Sequence, residues 1–599
     1  FDKKWMKSGI PNSLNITNNR INPTSTLQLD WGDLRDKIKI VDDFLSGKKL
    51  THQQLFGMAT NFIYIHGGVA MYKNCLDSND NYKENKYHLP SIAKYYNYCP
   101  MNLENFSPYE SDHSYGNILQ AYQNKVTRLM IEPKMSLSEA EDRYKEILDT
   151  VLSSTENKIN VIRVPTGLGK TESILNLKNV TIALPYHNLK EEVSERFKGD
   201  YNLTPELPNN LSKHIYEELN YYYKIGALKE ANKFLYEQAK NNSDIRNYLN
   251  DTLKCYASNE TVITTHQKAL FVDFENHDTL IFDEDPINSI LSMGKVTVND
   301  FFRLKGQLTD KEDINVINSY LEYLEKNLVS SPIKTNLVAF KNYSEIEKIV
   351  LNSSIPWDGN ILQFFESDYF VIDSYDKATI HFIKLNQLPS NKKIIILSAT
   401  ANEFIYKKLF GDLVNFYDIS NIELTGIILQ DCKYSFSRHS LKEHHKYITD
   451  KGHDCPVITF AEFKHYFSNA VKELHFGKTS GFDGLKDSDL VVVGLPHISP
   501  ILYLLYSQIL NIKFTPKDFK IRYQLIQYDG LEFPLQTYDN EDIRKIQLSR
   551  IESELRQAVG RSRVSRNPNT VYLYSGFPLK ESCLTEKEKY IGLCKLNRN

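Results

Sequence analysis

Along the chain, short unbroken apolar runs alternate with longer polar stretches in which apolar residues recur at helical spacing. The runs Val161 to Val164, Val180 to Ala183, Leu280 to Phe282, Lys393 to Leu397, Cys455 to Phe460 and Leu490 to Val493 read as short buried strands. Helices are predicted after Ser173 and from Glu541 onwards. Residues 200–258 read as helix-rich and polar. Residues 295–390 mix helices with short alternating strands such as Tyr369 to Asp373 and Ala378 to Lys384. Connections this long are rarely structureless inside a compact domain, so both are expected to be insertions that grip or separate strands. Leu50 to Cys75 reads as a helical hairpin around Gly67 and Gly68, and no long internal repeat is evident.

Length adds domain count. At 599 residues the chain exceeds one ordinary domain, and three or more folding units are expected. The pattern divides it into an N-terminal accessory domain, mainly helical, over 1–125, a first core over 126–425 carrying both insertions, and a second core over 426–599. With 41% hydrophobic and 25% charged residues the composition is that of a soluble globular protein. The most apolar stretch, Ile498 to Ile512, is broken by Ser507, Gln508 and Asn511, so no run reaches the roughly 18–20 residues that a bilayer demands. No signal peptide is evident. Seven scattered cysteines without a CxxC pair argue against a disulfide scaffold and for a reducing, cytoplasmic setting. The net charge of −3 neither demands nor excludes nucleic acid, because a basic groove can be local. A start at Phe1 rather than Met suggests part of a longer polypeptide.

The most informative segment is Val164-Pro165-Thr166-Gly167-Leu168-Gly169-Lys170-Thr171-Glu172. A strand runs into two glycines that allow a tight turn with inward N–H groups, and a helix follows whose N-terminus favours an anion. Lys170 is then placed for β- and γ-phosphates and the Thr171 hydroxyl for Mg²⁺. The stricter phosphate-loop pattern wants Gly at 164, where this chain has Val164. A second strand ends in Asp283-Glu284-Asp285-Pro286. Asp283 would hold Mg²⁺ through its water shell, and Glu284 would polarise the water attacking the γ-phosphate. Taken alone, that segment could equally be a strand leaving for solvent; its place after the phosphate loop favours the catalytic reading.

Three further segments follow in order: Ser398-Ala399-Thr400 at a strand end, Gly477 to Asp483 before the strand Leu490 to Val493, and Gln557-Ala558-Val559-Gly560-Arg561-Ser562-Arg563 at a helix end. Together with the phosphate loop and the acidic strand end, they resemble the superfamily 2 helicases over roughly residues 155–580. The resemblance implies an α/β fold of two RecA-like parallel-sheet domains in tandem, with ATP and Mg²⁺ bound between them. It assigns nucleotide contact to residues 165–172, Asp483 and Gly560, and coupling of nucleotide state to domain movement to Ser398, Ala399 and Thr400. Gln557, Arg561 and Arg563 would face the phosphates across the cleft, one arginine serving as the finger that stabilises developing charge. The spacing is similar to the Dicer-like and RNA-sensor branch, which leaves the choice between Arg561 and Arg563 open. The acidic motif reads DEDP rather than DEAD or DExH, and no adenine-reading glutamine precedes Val161.

Helicase-like motors hold strand backbones at loop ends, largely through phosphates. Pro185, His187, Thr264, Thr265 and His266 in the first domain, with Ser480 and Gly481 in the second, fit that role. His187 and His266 could also be ordinary loop or core histidines. Tyrosine is plentiful at 38 residues, and Tyr221-Tyr222-Tyr223 could stack bases or simply pack on a neighbouring helix. Cys99 and His113 are too few for a zinc site, which needs about four ligands. The expected function is an ATP-dependent helicase or translocase acting on nucleic acid, DNA ahead of RNA. The alternative is a nucleotide-gated binding switch or remodeller working with a replication or defence partner. The N-terminal segment weakly resembles replication proteins of phages and mobile elements.

Overall fold

The computed structural model describes residues 31–590 apart from 66, 79–87, 97, 99, 124–125, 130–132, 327–331, 336–339, 374–375, 377, 480–483, 516–517, 520 and 586–588. Two parallel sheets organise the chain, which is α/β with two RecA-like domains in tandem. The first sheet comprises β1 (Ile159–Arg163), β2 (Thr181–Leu184), β3 (Tyr201–Leu203), β4 (Thr261–Thr265), β5 (Thr279–Asp283), β6 (Lys393–Ser398) and β7 (Val414–Asp418), in the order β7-β1-β6-β5-β2-β4-β3. Both β5 and β6 are buried along their whole length, which is why they read as unbroken apolar runs. Register brings the ends of β1, β5 and β6 together: Leu397 pairs with Ile162 on one side and Asp283 on the other. The sites at the ends of β1, β5 and β6 therefore share one edge of the sheet, where parallel α/β folds bind ligands.

The second sheet holds β8 (Ile427–Asp431), β9 (Val457–Ile458), β10 (Leu490–Val493), β11 (Thr570–Tyr574) and β12 (Cys583–Leu584), in the order β9-β10-β11-β8-β12. Helix Glu541–Val559 leads into the turn at Gly560–Ser562 and brings the Gln557 to Arg563 segment to the first domain.

Both insertions in the first domain have structure of their own. Residues 200–258 carry helices Lys213–Ile225, Leu228–Gln238 and Ser243–Tyr256 around a small core of Ile215, Leu219, Leu235 and Ile245. The other insertion begins earlier and ends earlier than the sequence suggests. Leu291–Thr297 and Thr379–Leu385 pair antiparallel along their full length. Helices and the fully buried Trp357 back the resulting four-stranded sheet.

The second domain also carries an insertion that the sequence reading did not foresee. Helix Pro500–Ile509 and the hairpin Ile521–Tyr528/Leu531–Tyr538 intervene before the long helix. Asp529 and Gly530, at φ 48 and 74, close this hairpin with the left-handed pair that two-residue turns favour. The apolar run Ile498 to Ile512 finds its partner here: helix Pro500–Ile509 packs on the first-domain sheet at Tyr369–Ile372 and Thr379–Leu385. Leu504, Leu505 and Tyr506 join Val371, Ile383 and Phe282 in one continuous apolar core across the domain boundary. No helix among the described residues is long and apolar enough to cross a membrane.

In the N-terminal region, helices His52–Phe62 and Gly68–Asp77 form the expected hairpin around Gly67, whose φ is 70. The buried Asp112 carboxylate ties the region together, accepting from the backbone N–H groups of Lys39 and Ile40 and from Ser107 Oγ at 2.6–3.1 Å. The region packs on the second-domain hairpin through Tyr523. Strand Thr127–Arg128 also pairs with that hairpin, at Leu531 and Glu532, and helix Leu137–Ser153 precedes the first strand of the parallel sheet.

Candidate active site

The phosphate loop takes the conformation its glycines permit. Gly167 and Gly169 lie at φ 94 and 78, in the region costly for residues with a Cβ. Leu168 is buried beneath the turn and anchors it. Lys170 opens the following helix, and its ammonium donates to the carbonyls of Val164 and Pro165 at 3.0 and 3.1 Å. Burial holds its pKa below the usual lysine value, while Asp283 and Glu284 pull the other way. Thr171 Oγ1 donates to Asp283 Oδ2 at 2.6 Å, so the two oxygens expected to serve Mg²⁺ stand side by side. Burial likewise raises the carboxyl pKa values of Asp283, Glu284 and Asp285. A half-buried ammonium beside a buried and two half-buried acids, with hydroxyl and carboxylate oxygens converging, is a donor set that suits a magnesium–polyphosphate group.

Glu284 leaves the strand at φ 76, unusual for a side-chain-bearing residue, while its N–H still donates to Leu397 O at 2.9 Å. That turn aims its carboxylate at the second domain, where Arg561 Nη2 lies 3.8 Å from Glu284 Oε1. Arg561 is itself buried, its Nε on Gln557 O at 3.3 Å. Gln557 bridges the motifs: its Nε2 reaches Thr400 Oγ1 at 3.5 Å and its Oε1 accepts from Thr479 Oγ1 at 3.0 Å. Ser398 is buried and its hydroxyl accepts from the N–H groups of Thr400 and Ala401, both at 2.9 Å, fixing the turn after β6. Arg563 sits at φ 51 in the turn that follows Arg561.

Gly560 packs so closely on the phosphate loop that an added Cβ would lie 2.4 Å from Thr166 Oγ1. Beyond the motif, Ser565 Oγ donates to Thr166 O at 2.5 Å, and Arg566 donates to Gly167 O and pairs with Glu141. Sequence reasoning missed both residues, although basic and hydroxyl groups continue past Arg563. It also missed the anchoring of Asp285, which accepts from Tyr406 OH at 2.5 Å. Nearby Arg550, from the second domain, donates to Asn288 Oδ1 at 2.8 Å and to Tyr506 OH.

Other sequence-predicted residues fall differently. Glu172 engages Arg196 at 2.7 Å and Lys198 at 3.5 Å at the surface, away from the loop's inner face. Thr264 is fully buried and its hydroxyl accepts from Thr204 Oγ1 at 3.1 Å, so it is a sheet residue rather than a surface donor. His266 is buried too, with Nε2 on Asp283 O at 3.0 Å; burial lowers its pKa to about 4. It braces the acidic strand end and is not available to a phosphate. The core alternative for this histidine is the one the geometry supports. Thr265 Oγ1 caps the next helix by accepting from Lys268 N–H at 3.3 Å. Pro185 is half-buried, and the exposed His187 pairs with Glu206 at 2.8 Å. Ser480, Gly481 and Asp483 lie outside the described residues, as does Cys99. His113 Nε2 bonds Ser107 O at 3.0 Å, and no group of three or more metal-ligating side chains occurs among the described residues.

The fold and cleft define a tandem RecA-like α/β protein. No protein-family model and no curated protein matches the chain. Among solved structures it is similar to an XPD helicase at 16% identity and TM-score 0.43, covering 75% of this chain and 96% of that one. It is also similar to S. cerevisiae Dbp5 bound to RNA and ADP BeF3, at 10% identity and TM-score 0.28, covering 75% and 88%. The DUF1998 helicase MrfA bound to DNA and AMPPNP matches at 10% identity and TM-score 0.25, covering 76% and 52%.

Proposed function

We propose that this chain is a nucleic-acid-dependent ATPase of the superfamily 2 helicase type, which moves along a DNA or RNA strand and unwinds duplex. One observation carries the reading: Arg561, delivered by the second domain, stands 3.8 Å from the Glu284 carboxylate beside the phosphate loop of the first. Catalytic groups split between two bodies complete the site only when the bodies close, which is what couples hydrolysis to movement.

In this reading Lys170 holds the β- and γ-phosphates, leaving the carbonyls of Val164 and Pro165. Thr171 and Asp283 would hold Mg²⁺, which when bound would neutralise phosphate charge. Glu284, in its ionised form, takes a proton from the attacking water, and Arg561 stabilises charge on the transferring phosphoryl group. Gln557 reports the state of that cleft to Thr400. The strand backbone would be met in the first domain by Thr265, His187 and Pro185, which are half-buried or exposed rather than buried.

A second reading, a nucleotide-gated clamp without processive unwinding, draws support from the apolar core shared across the domain boundary, which limits how far the domains part. A duplex-unwinding assay run with matched ATPase rates separates the two. Strand separation in proportion to turnover supports the motor, and turnover without separation supports the clamp.

A further inference from the structure

The three consecutive tyrosines of helix Lys213–Ile225 have separate fates. Tyr221 OH donates to Val350 O at 3.5 Å, and Tyr222 packs edge-on against Phe234 at 5.8 Å, so both serve packing. Tyr223 is 45% exposed, and Tyr236 on the next helix is 53% exposed. Tyr248 and Tyr256 lie on the third helix, which packs on the second as the second packs on the first. These last two rings flank the ammonium of Lys268, at 5.7 and 5.9 Å from their centroids.

Lys268 lies on helix His266–Phe271, which begins where β4 ends, at the sheet edge that carries the phosphate loop and Glu284. The titratable groups around it are Cys255, Lys190 and His187, and the acidic partner of His187 is Glu206. No carboxylate among the described residues pairs with Lys268 itself. A partly desolvated ammonium without a counter-charge is costly unless an anion completes it. In the same three-helix bundle, the half-exposed rings of Tyr223 and Tyr236 present flat faces to whatever brings that anion. Single-stranded nucleic acid supplies both, a phosphate backbone and bases with two open faces.

We infer that the three-helix insertion contributes its own binding surface for single-stranded nucleic acid, with Lys268 taking a backbone phosphate and Tyr223 and Tyr236 stacking bases. The inference rests on the nucleic-acid reading proposed above and deepens it: the insertion is part of the strand's path.

The test is fluorescence anisotropy of the full chain, with a non-hydrolysable ATP analogue, on labelled oligothymidylate and oligouridylate of about 16 nucleotides. Tyr223→Ala and Tyr236→Ala are each expected to weaken binding about 5- to 100-fold, the range for loss of one stacked base. Tyr223→Phe and Tyr236→Phe keep the ring and should bind like the parent. Lys268→Gln should lower the slope of log affinity against log salt by about 1. Thermal unfolding at the parent's temperature establishes that each variant is folded. If the parent binds and the alanine and glutamine variants match it in affinity and salt slope, this surface is refuted while the proposed function stands. If the parent binds neither oligonucleotide, both fail.

Discussion

Arg561 Nη2 lies 3.8 Å from Glu284 Oε1, so a second-domain cation faces the carboxylate that leaves β5 in a left-handed turn. Of the two arginines the sequence offers, Arg561 is the one whose charge lowers the Glu284 pKa among the leading influences. Arg561→Ala is expected to reduce ATP turnover about 10³-fold or more, with nucleotide affinity nearly unchanged. Arg563→Ala should cost less. Single-turnover hydrolysis beside equilibrium nucleotide binding checks both, and a larger loss in Arg563→Ala would reverse the assignment.

Turnover should also depend on pH in a defined direction. Burial raises the Glu284 pKa, with Arg561 and Lys170 opposing it. A general base works ionised, so the rate should fall as pH drops through that raised value. Removing Arg561 takes away an opposing cation and should move the acid limb to higher pH. The readout is the rate profile of Arg561→Ala, scaled to its own plateau. An unmoved limb would remove Glu284 as the titrating group. Glu284→Gln, with no base to ionise, should keep ATP bound and lose turnover.

Lys170→Ala is expected to abolish turnover, because the ammonium that would bridge the phosphates is gone. Its loss should appear in nucleotide binding as well as in rate, which distinguishes it from Arg561→Ala. Isothermal titration with an ATP analogue reads the difference.

Gly560→Ala tests closure directly. An alanine Cβ would sit 2.4 Å from Thr166 Oγ1 and 2.9 Å from its methyl, too close for the present approach. Turnover should fall while both domains remain folded, and adding Thr166→Ala should restore part of it. A double variant no faster than Gly560→Ala alone would show that the Thr166 contact does not limit closure.

The shared apolar core predicts joint unfolding. Leu504→Ala, at a position 4% exposed within the core common to both domains, should cost about 2–5 kcal/mol. Calorimetry should show one transition for the two RecA-like domains, shifted down as a unit. Two separated transitions in the parent protein would contradict a common core.

The loop and strand ends of the candidate site were legible because their geometry dictates local sequence: glycines at φ 94 and 78, a lysine at a helix start, and acids at a strand end. Parallel strands buried on both faces likewise left unbroken apolar runs. What the sequence concealed was tertiary. Nothing local distinguishes the buried Thr264, at the strand end, and the buried His266, at the helix start, from the half-exposed Thr265 between them. The apolar run at 498–512 was visible, but its partner sheet lies more than a hundred residues earlier in the chain. The hairpin closed by Asp529 and Gly530 did carry a turn signal between apolar runs, a local cue that the reading overlooked.

The most direct test of a nucleic-acid motor is the ATPase rate of the purified chain alone and with single-stranded DNA, duplex DNA, single-stranded RNA and duplex RNA. Strong stimulation by one of these is expected, and it would name the strand on which the cleft closes. An equal rate under all five conditions would show that the cleft closes without a nucleic-acid track.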